Sequence, residues 1–237
     1  MSDGEVAVGT DQDGTEGRLH ARPDASFRPH DLAPGVHTLA FPEDRSVELL
    51  VPSIRNAQRP TPLVVMLHGA GGDAAQVVAP MVDGAAEHEA LVLSPKSKAA
   101  TWDVIRGGFG PDVDLIDQAL AAVFERWSID PARIAIGGFS DGASYALSLG
   151  LSNGDLFSDI LAFSPGFAAP AVRRGQPHVF ISHGERDQVL PIARCGRPLA
   201  RKLTEAGYDV EYDEFQGGHI MPLSCVAAAW TRFMRAK

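Results

Sequence analysis

Short apolar runs without a polar break recur along this chain, at Leu63–Leu67, Ala90–Leu93, Ile134–Ile136, Ile160–Phe163 and Val179–Ile181. A strand with one face in water alternates apolar and polar residues. An unbroken run belongs to a strand covered on both faces, as in a parallel sheet. Between the runs lie segments that suit helices, at about Ala74–His88, Asp112–Trp127, Asp141–Leu151, Ala193–Ala206 and Met221–Met234. In the second of these, Val113, Ile116, Leu120, Val123 and Phe124 share one face, and Pro111 with Asp112 and Asp114 makes a favourable start. Those two acids are therefore read as helix-start residues and not as metal ligands. Val36–Phe41 and Ser46–Val51 flank the turn Pro42–Arg45 and predict an antiparallel pair at a sheet edge. Tyr208–Phe215 reads as the last strand. Strand–helix alternation predicts an α/β fold: a doubly wound, mostly parallel sheet of about seven to eight strands with helices on both faces.

A chain of 237 residues fits one domain of this kind, expected over residues 31–237. Residues 1–30 are polar and without periodicity, and read as a mobile tail or a loosely docked arm. The net charge of −9 opposes binding to a phosphate backbone or to an anionic membrane surface. Two cysteines, Cys195 and Cys225, cannot build a disulfide framework; they form one bridge if the fold brings them together, and otherwise read as free thiols in a reducing compartment, the reading favoured by the sequence. The acidic N-terminus has no basic and apolar leader pattern, and no apolar run approaches the ~18 residues that span a bilayer. These features predict a soluble, cytoplasmic protein without stable membrane insertion.

One motif carries chemistry. Gly138-Phe139-Ser140-Asp141-Gly142 follows the strand Arg133–Ile136 and precedes a helical segment. In that context G-x-S-x-G reads as a nucleophile elbow. The turn from strand to helix is so tight that side chains two positions either side of the serine collide, so both places require glycine. Ser140 is thus the candidate nucleophile. Ser144, Ser148, Ser152 and Ser164 lack the elbow and read as structural.

A serine hydroxyl needs a base, and the base needs an orienting acid. After an elbow of this kind the expected chain order is acid, then histidine. Asp187, in the loop after Val179–Ile181, is the candidate acid, with Glu185 the runner-up. His219, in Gln216-Gly-Gly-His219 after the last strand, is the candidate base. His68 and His183 read as structural histidines. The glycine-rich stretch His68-Gly-Ala-Gly-Gly-Asp73 frees backbone N–H groups to face a ligand. The oxyanion donors are expected to be the N–H groups of Ala70 and Asp141. The same stretch lacks a nucleotide-binding signature, and no metal-binding motif occurs, so no cofactor and no metal are expected.

With these residues assembled, the chain resembles an α/β-hydrolase of the phospholipase/carboxylesterase branch, together with dienelactone-hydrolase-like and polyhydroxybutyrate depolymerase-like proteins. The resemblance rests on Leu67-His68-Gly69, Gly138–Gly142, Ser182-His-Gly184 with Asp187, and Gly218-His219, and runs from about Val36 to the C-terminus. It implies the fold and the Ser–Asp–His set, and not the substrate. Dienelactone hydrolases generally use cysteine as nucleophile, so serine at 140 argues against that activity. Lids in such proteins enter after the strand at Ile160–Phe163, where only 15 residues, Ser164 to His178, precede the next strand here. No cap domain is expected, and the site should be open. Trp102, Ile105 and Phe109 either line the acyl or alcohol pocket or pack in the core; Phe139 and Phe167 are equally open. The implied activity is that of a serine carboxylesterase on small-molecule, short- to medium-chain esters. The alternatives are a thioesterase or lysophospholipase, an esterase of polyester oligomers or feruloyl esters, and, more distantly, a non-catalytic binding protein of this fold.

Overall fold

The computed structural model describes residues 16–23, 32–53 and 59–235. Its single sheet comprises β1 (Gly35–Phe41), β2 (Arg45–Val51), β3 (Thr61–Leu67), β4 (Leu91–Pro95), β5 (Ile129–Phe139), β6 (Asp159–Phe163), β7 (His178–Gly184) and β8 (Val210–Phe215). The eight strands lie in the order β1-β2-β4-β3-β5-β6-β7-β8. β2 is antiparallel to both of its neighbours, and every other pair is parallel. The chain leaves β3 outward to β4 and returns past it to β5. The loops after β3 and β5 therefore diverge, and a crevice opens beyond the carboxyl ends of these two strands, where open α/β sheets bind ligands.

The helices are α1 (Ala74–Val78), α2 (Val82–Glu87), α3 (Pro111–Phe124), α4 (Asp141–Ser152), α5 (Gly196–Glu205) and α6 (Leu223–Phe233). One face of the sheet is covered by α3, α4 and α5, the other by α1, α2 and α6. Along β3, Leu63, Val65 and Leu67 enter the first core and Val64 and Met66 the second. This double burial is the reason the run carries no polar break. The helix expected over Ala74–His88 is broken: a 3₁₀ turn at Ala79–Met81 separates α1 from α2. Pro80 has no N–H to continue the ladder, and its ring clashes with the carbonyl four residues back. No described helix is long and apolar enough to cross a membrane. Cys195 precedes α5 and Cys225 lies in α6, both as buried free thiols.

Part of the polar N-terminal stretch is docked. Leu19 is fully buried. Asn153, at the end of α4, donates from Nδ2 to Gly17 O at 2.7 Å and accepts the Leu19 N–H at 2.9 Å. Asp117 of α3 accepts the N–H groups of His20 and Ala21 at 2.7 and 2.8 Å. Arg18 forks onto both Asp155 oxygens, and Arg22 joins at 2.8 Å. Residues 1–15 and 24–31 lie outside the described residues.

The hydrogen-bonded Arg18, with Arg22 beside it, holds the Asp155 carboxyl far below the usual carboxylate range. A carboxylate depressed by folding stabilises above its unfolded value of about 3.9, and that stability is lost as pH falls through the folded value. Asp155→Asn should cost about 1 kcal/mol or less at neutral pH, because the side chain is 40% exposed. The gap from wild type should narrow steadily below about pH 4. Urea denaturation of both proteins across that range checks this; a gap that is constant with pH would contradict it.

Candidate active site

β5 passes directly into α4 through Ser140, whose φ of 57° and ψ of −117° lie where a side chain is strained. Two glycines allow the turn. A Cβ on Gly138 would stand 2.5 Å from the Gly142 carbonyl, and one on Gly142 would stand 2.1 Å from Leu67 O. Ser140 N–H donates to Phe163 O at 2.9 Å, which anchors the elbow to β6.

The structure brings Ser140, His219 and Asp187 together from three loops. His219 Nε2 lies 2.8 Å from Ser140 Oγ, and His219 Nδ1 lies 2.6 Å from Asp187 Oδ2. An ionised carboxylate only accepts, so Nδ1 carries the proton and Nε2 is free to take the serine hydrogen. Asp187 is shielded: its side chain has no exposed surface. Its Oδ1 accepts the N–H groups of Val189 and Leu190 at 2.9 and 2.8 Å. Burial pushes this carboxyl up, but the bonds from His219 and the two N–H groups outweigh it and hold Asp187 below its ordinary value. Glu185 is exposed and hydrogen-bonds to Gln216 instead. The acid and histidine loops touch through backbone, since a Cβ on Gly184 would stand 2.2 Å from Gly218 O.

His183 braces the acid loop, with Nε2 2.7 Å from Leu190 O and 3.3 Å from Asp187 Oδ2. Burial pushes its imidazole below the usual value, as it does for His68. His68 accepts the Ser97 N–H on Nε2 at 3.1 Å, so Nδ1 donates to Gly69 O at 2.8 Å. Both histidines thus serve the backbone of the loops that carry the site.

No hydrogen bond among the described residues engages the N–H of Ala70 or of Asp141. The loop carrying Ala70 crosses close over the elbow, where a Cβ on Gly69 would stand 3.3 Å from Ser140 Cβ. Gly71 N–H donates to Ala100 O at 2.6 Å, and Thr101 Oγ1 donates to Asp141 Oδ2 at 2.6 Å.

Of the five aromatic and aliphatic candidates for a pocket wall, Trp102 is corrected to the core. It is fully buried, stacks on Tyr145 at 5.1 Å and donates to His68 O at 2.8 Å, and so presents no surface to a ligand. Ile105 and Phe109 are half-buried against the same core, and Phe109 also packs on Gly17 of the docked N-terminal segment. Phe139 lies against the His219 ring at 4.8 Å, and Phe167 is exposed on the loop after β6.

That loop, 164–177, hangs from α4 by serines. The hydroxyls of Ser144, Ser148 and Ser152 donate to the carbonyls of Ser140, Ser144 and Ser148. Ser144 Oγ accepts Gly166 N–H and Ser148 Oγ accepts Ala169 N–H, both at 2.9 Å. Their spacing of four is visible in the sequence; the loop partner is not. Among the described residues no group of His, Cys, Asp and Glu is arranged to hold a metal ion.

Residues 113–231 match the family model described as Phospholipase/Carboxylesterase. The chain belongs to that family. A probable feruloyl esterase C of Aspergillus oryzae is 30% identical over 180 residues, which are 73% of this chain and 64% of that protein. The chain therefore spans under two thirds of that relative's length. Acyl-protein thioesterase 1 of Gibberella zeae is 34% identical over 101 residues, 38% of this chain and 43% of its own. The crystal structure of esterase PE8 superposes with a TM-score of 0.63 at 24% identity, covering 78% of this chain and 95% of that one. This family likeness agrees with an α/β-hydrolase sheet without a cap domain.

The elbow predicts a contrast between two glycines. Gly142→Ala drives a methyl to 2.1 Å from Leu67 O, a backbone atom of the central sheet. It should cost about 3 kcal/mol or more. Gly71→Ala, at φ of +65° with nothing within 4 Å, should cost only the left-handed strain of about 1–2 kcal/mol. Thermal melts of the two variants check the order.

Proposed function

We propose that this protein is a serine carboxylesterase that hydrolyses short- to medium-chain esters through an acyl-enzyme on Ser140. The observation that carries the reading is the unbroken Ser140–His219–Asp187 hydrogen-bond chain at a strained elbow beside the sheet crevice. Ser140 Oγ attacks the ester carbonyl carbon while its proton passes to His219 Nε2. Asp187 keeps the imidazole in the productive tautomer and stabilises the imidazolium. The free N–H groups of Ala70 and Asp141 donate hydrogen bonds to the carbonyl oxygen as it becomes negative, each worth about 3–4 kcal/mol in the transition state. His219 returns the proton to the leaving alcohol. Water, deprotonated by the same imidazole, then releases the acid and regenerates Ser140.

The short loop after β6 supports small, accessible esters. A second reading, hydrolysis of feruloyl esters, has its own support in the similarity to the probable feruloyl esterase of Aspergillus oryzae. Exposed Phe167, and Phe139 against the base, are the aromatic surfaces that would meet a feruloyl ring.

The test is hydrolysis of p-nitrophenyl esters from C2 to C12, alongside methyl ferulate, by wild type and Ser140→Ala. The expected result is a rate peak at short or medium chains and a loss on the order of 10⁵–10⁶ in kcat in the variant. Undiminished activity in Ser140→Ala would remove Ser140 as nucleophile. A preference for methyl ferulate would move the assignment to the second reading.

A further inference from the structure

The dipeptide at 100–101 touches both walls of the crevice above Ser140. Ala100 O accepts Gly71 N–H, next to Ala70, and Thr101 Oγ1 donates to the carboxylate of Asp141, next to Ser140. The loop bearing this dipeptide is itself fixed. Buried Asp112, in a 2.6 Å ion pair with Arg45, accepts Lys98 N–H on one oxygen at 2.8 Å and Asp103 N–H on the other at 3.1 Å. Ser97 N–H and the Trp102 indole are both bonded to His68. Thr101 is thus held at its position by neighbours on both sides, while its hydroxyl is spent on one acceptor.

That acceptor is unusual chemistry for its place. Asp141 contributes an N–H to the proposed oxyanion hole and carries a negative charge on the same residue. A carboxylate free to rotate toward the substrate oxygen would oppose the charge that develops there. We infer that Thr101 is a positioning residue that keeps the Asp141 carboxylate bound on the loop side, so that Asp141 offers the oxyanion its N–H without its charge. The inference rests on the serine-esterase reading and goes beyond it by assigning a role outside the Ser140–His219–Asp187 set.

The experiment is a double-mutant cycle with steady-state kinetics and fluorophosphonate labelling of Ser140. Thr101→Val should lower kcat and the labelling rate by roughly 10- to 100-fold while KM stays within about twofold, because the charge acts only in the transition state. Thr101→Ser, which restores the donor, should recover most of the rate. In an Asp141→Asn background, Thr101→Val should have little further effect, since no charge remains to be held. Thr101→Ala serves the same purpose if the valine variant does not fold. Unchanged kcat in Thr101→Val or Thr101→Ala, or an equal loss in both backgrounds without rescue by serine, overturns the inference. Absence of Ser140 labelling in wild type overturns the esterase reading and this inference with it, whereas labelling with an unchanged Thr101 variant overturns the inference alone.

Discussion

Helix α4 meets the end of β3 with no side chain between them, backbone against backbone at Gly142 and Leu67 O. Everything polar in the candidate site is laid out around that contact. It holds the elbow in its strained form, so Ser140 stands above the strand ends. It sets the loop after β3 directly beside the start of α4, as the register of Leu67 opposite Gly138 requires. A thicker interface would separate the Ala70 and Asp141 N–H groups and lift the serine away from the histidine. Close-packed interiors do not yield by small amounts, so the contact acts as a fixed reference for the loops.

Two buried carboxylates then organise those loops by the same device. Asp187 folds its own loop by accepting Val189 and Leu190 N–H, and reaches outward to His219. Asp112 accepts Lys98 and Asp103 N–H, and reaches outward to Arg45. Each carries charge into the interior and is tolerated because backbone N–H groups and one cationic or imidazole partner satisfy its oxygens. Only the first takes part in the proposed chemistry. The second builds the wall on which Thr101 stands.

The sheet was legible in the sequence because burial on both faces leaves an unbroken apolar run, and the elbow because steric exclusion leaves glycine at 138 and 142. Ser140, Asp187 and His219 were legible because each follows a strand in a fixed order, and the structure does bring them within hydrogen-bonding distance. Other features depend on partners distant in the chain and left no local trace. Trp102 reads as a pocket residue or a core residue until its indole N–H is found donating to the His68 carbonyl. Thr101 is an ordinary loop threonine until Asp141 lies 2.6 Å away. The docking of 16–23 depends on Asn153, Asp117 and Asp155, none of which a polar, aperiodic stretch can announce. The break at Ala79–Met81 falls at Pro80, inside a stretch that otherwise suits one helix.

The serine ladder of α4 has a consequence for how the molecule opens. The loop at 164–177 has its amides at Gly166 and Ala169 satisfied by hydroxyls of the helix beneath, not by structure of its own. Such amides exchange with solvent only when the helix side chains let go. The loop is therefore coupled to α4 through Ser144 and Ser148: its amides at Gly166 and Ala169 open only as those two side chains release them, and an accessible site need not be a floppy one.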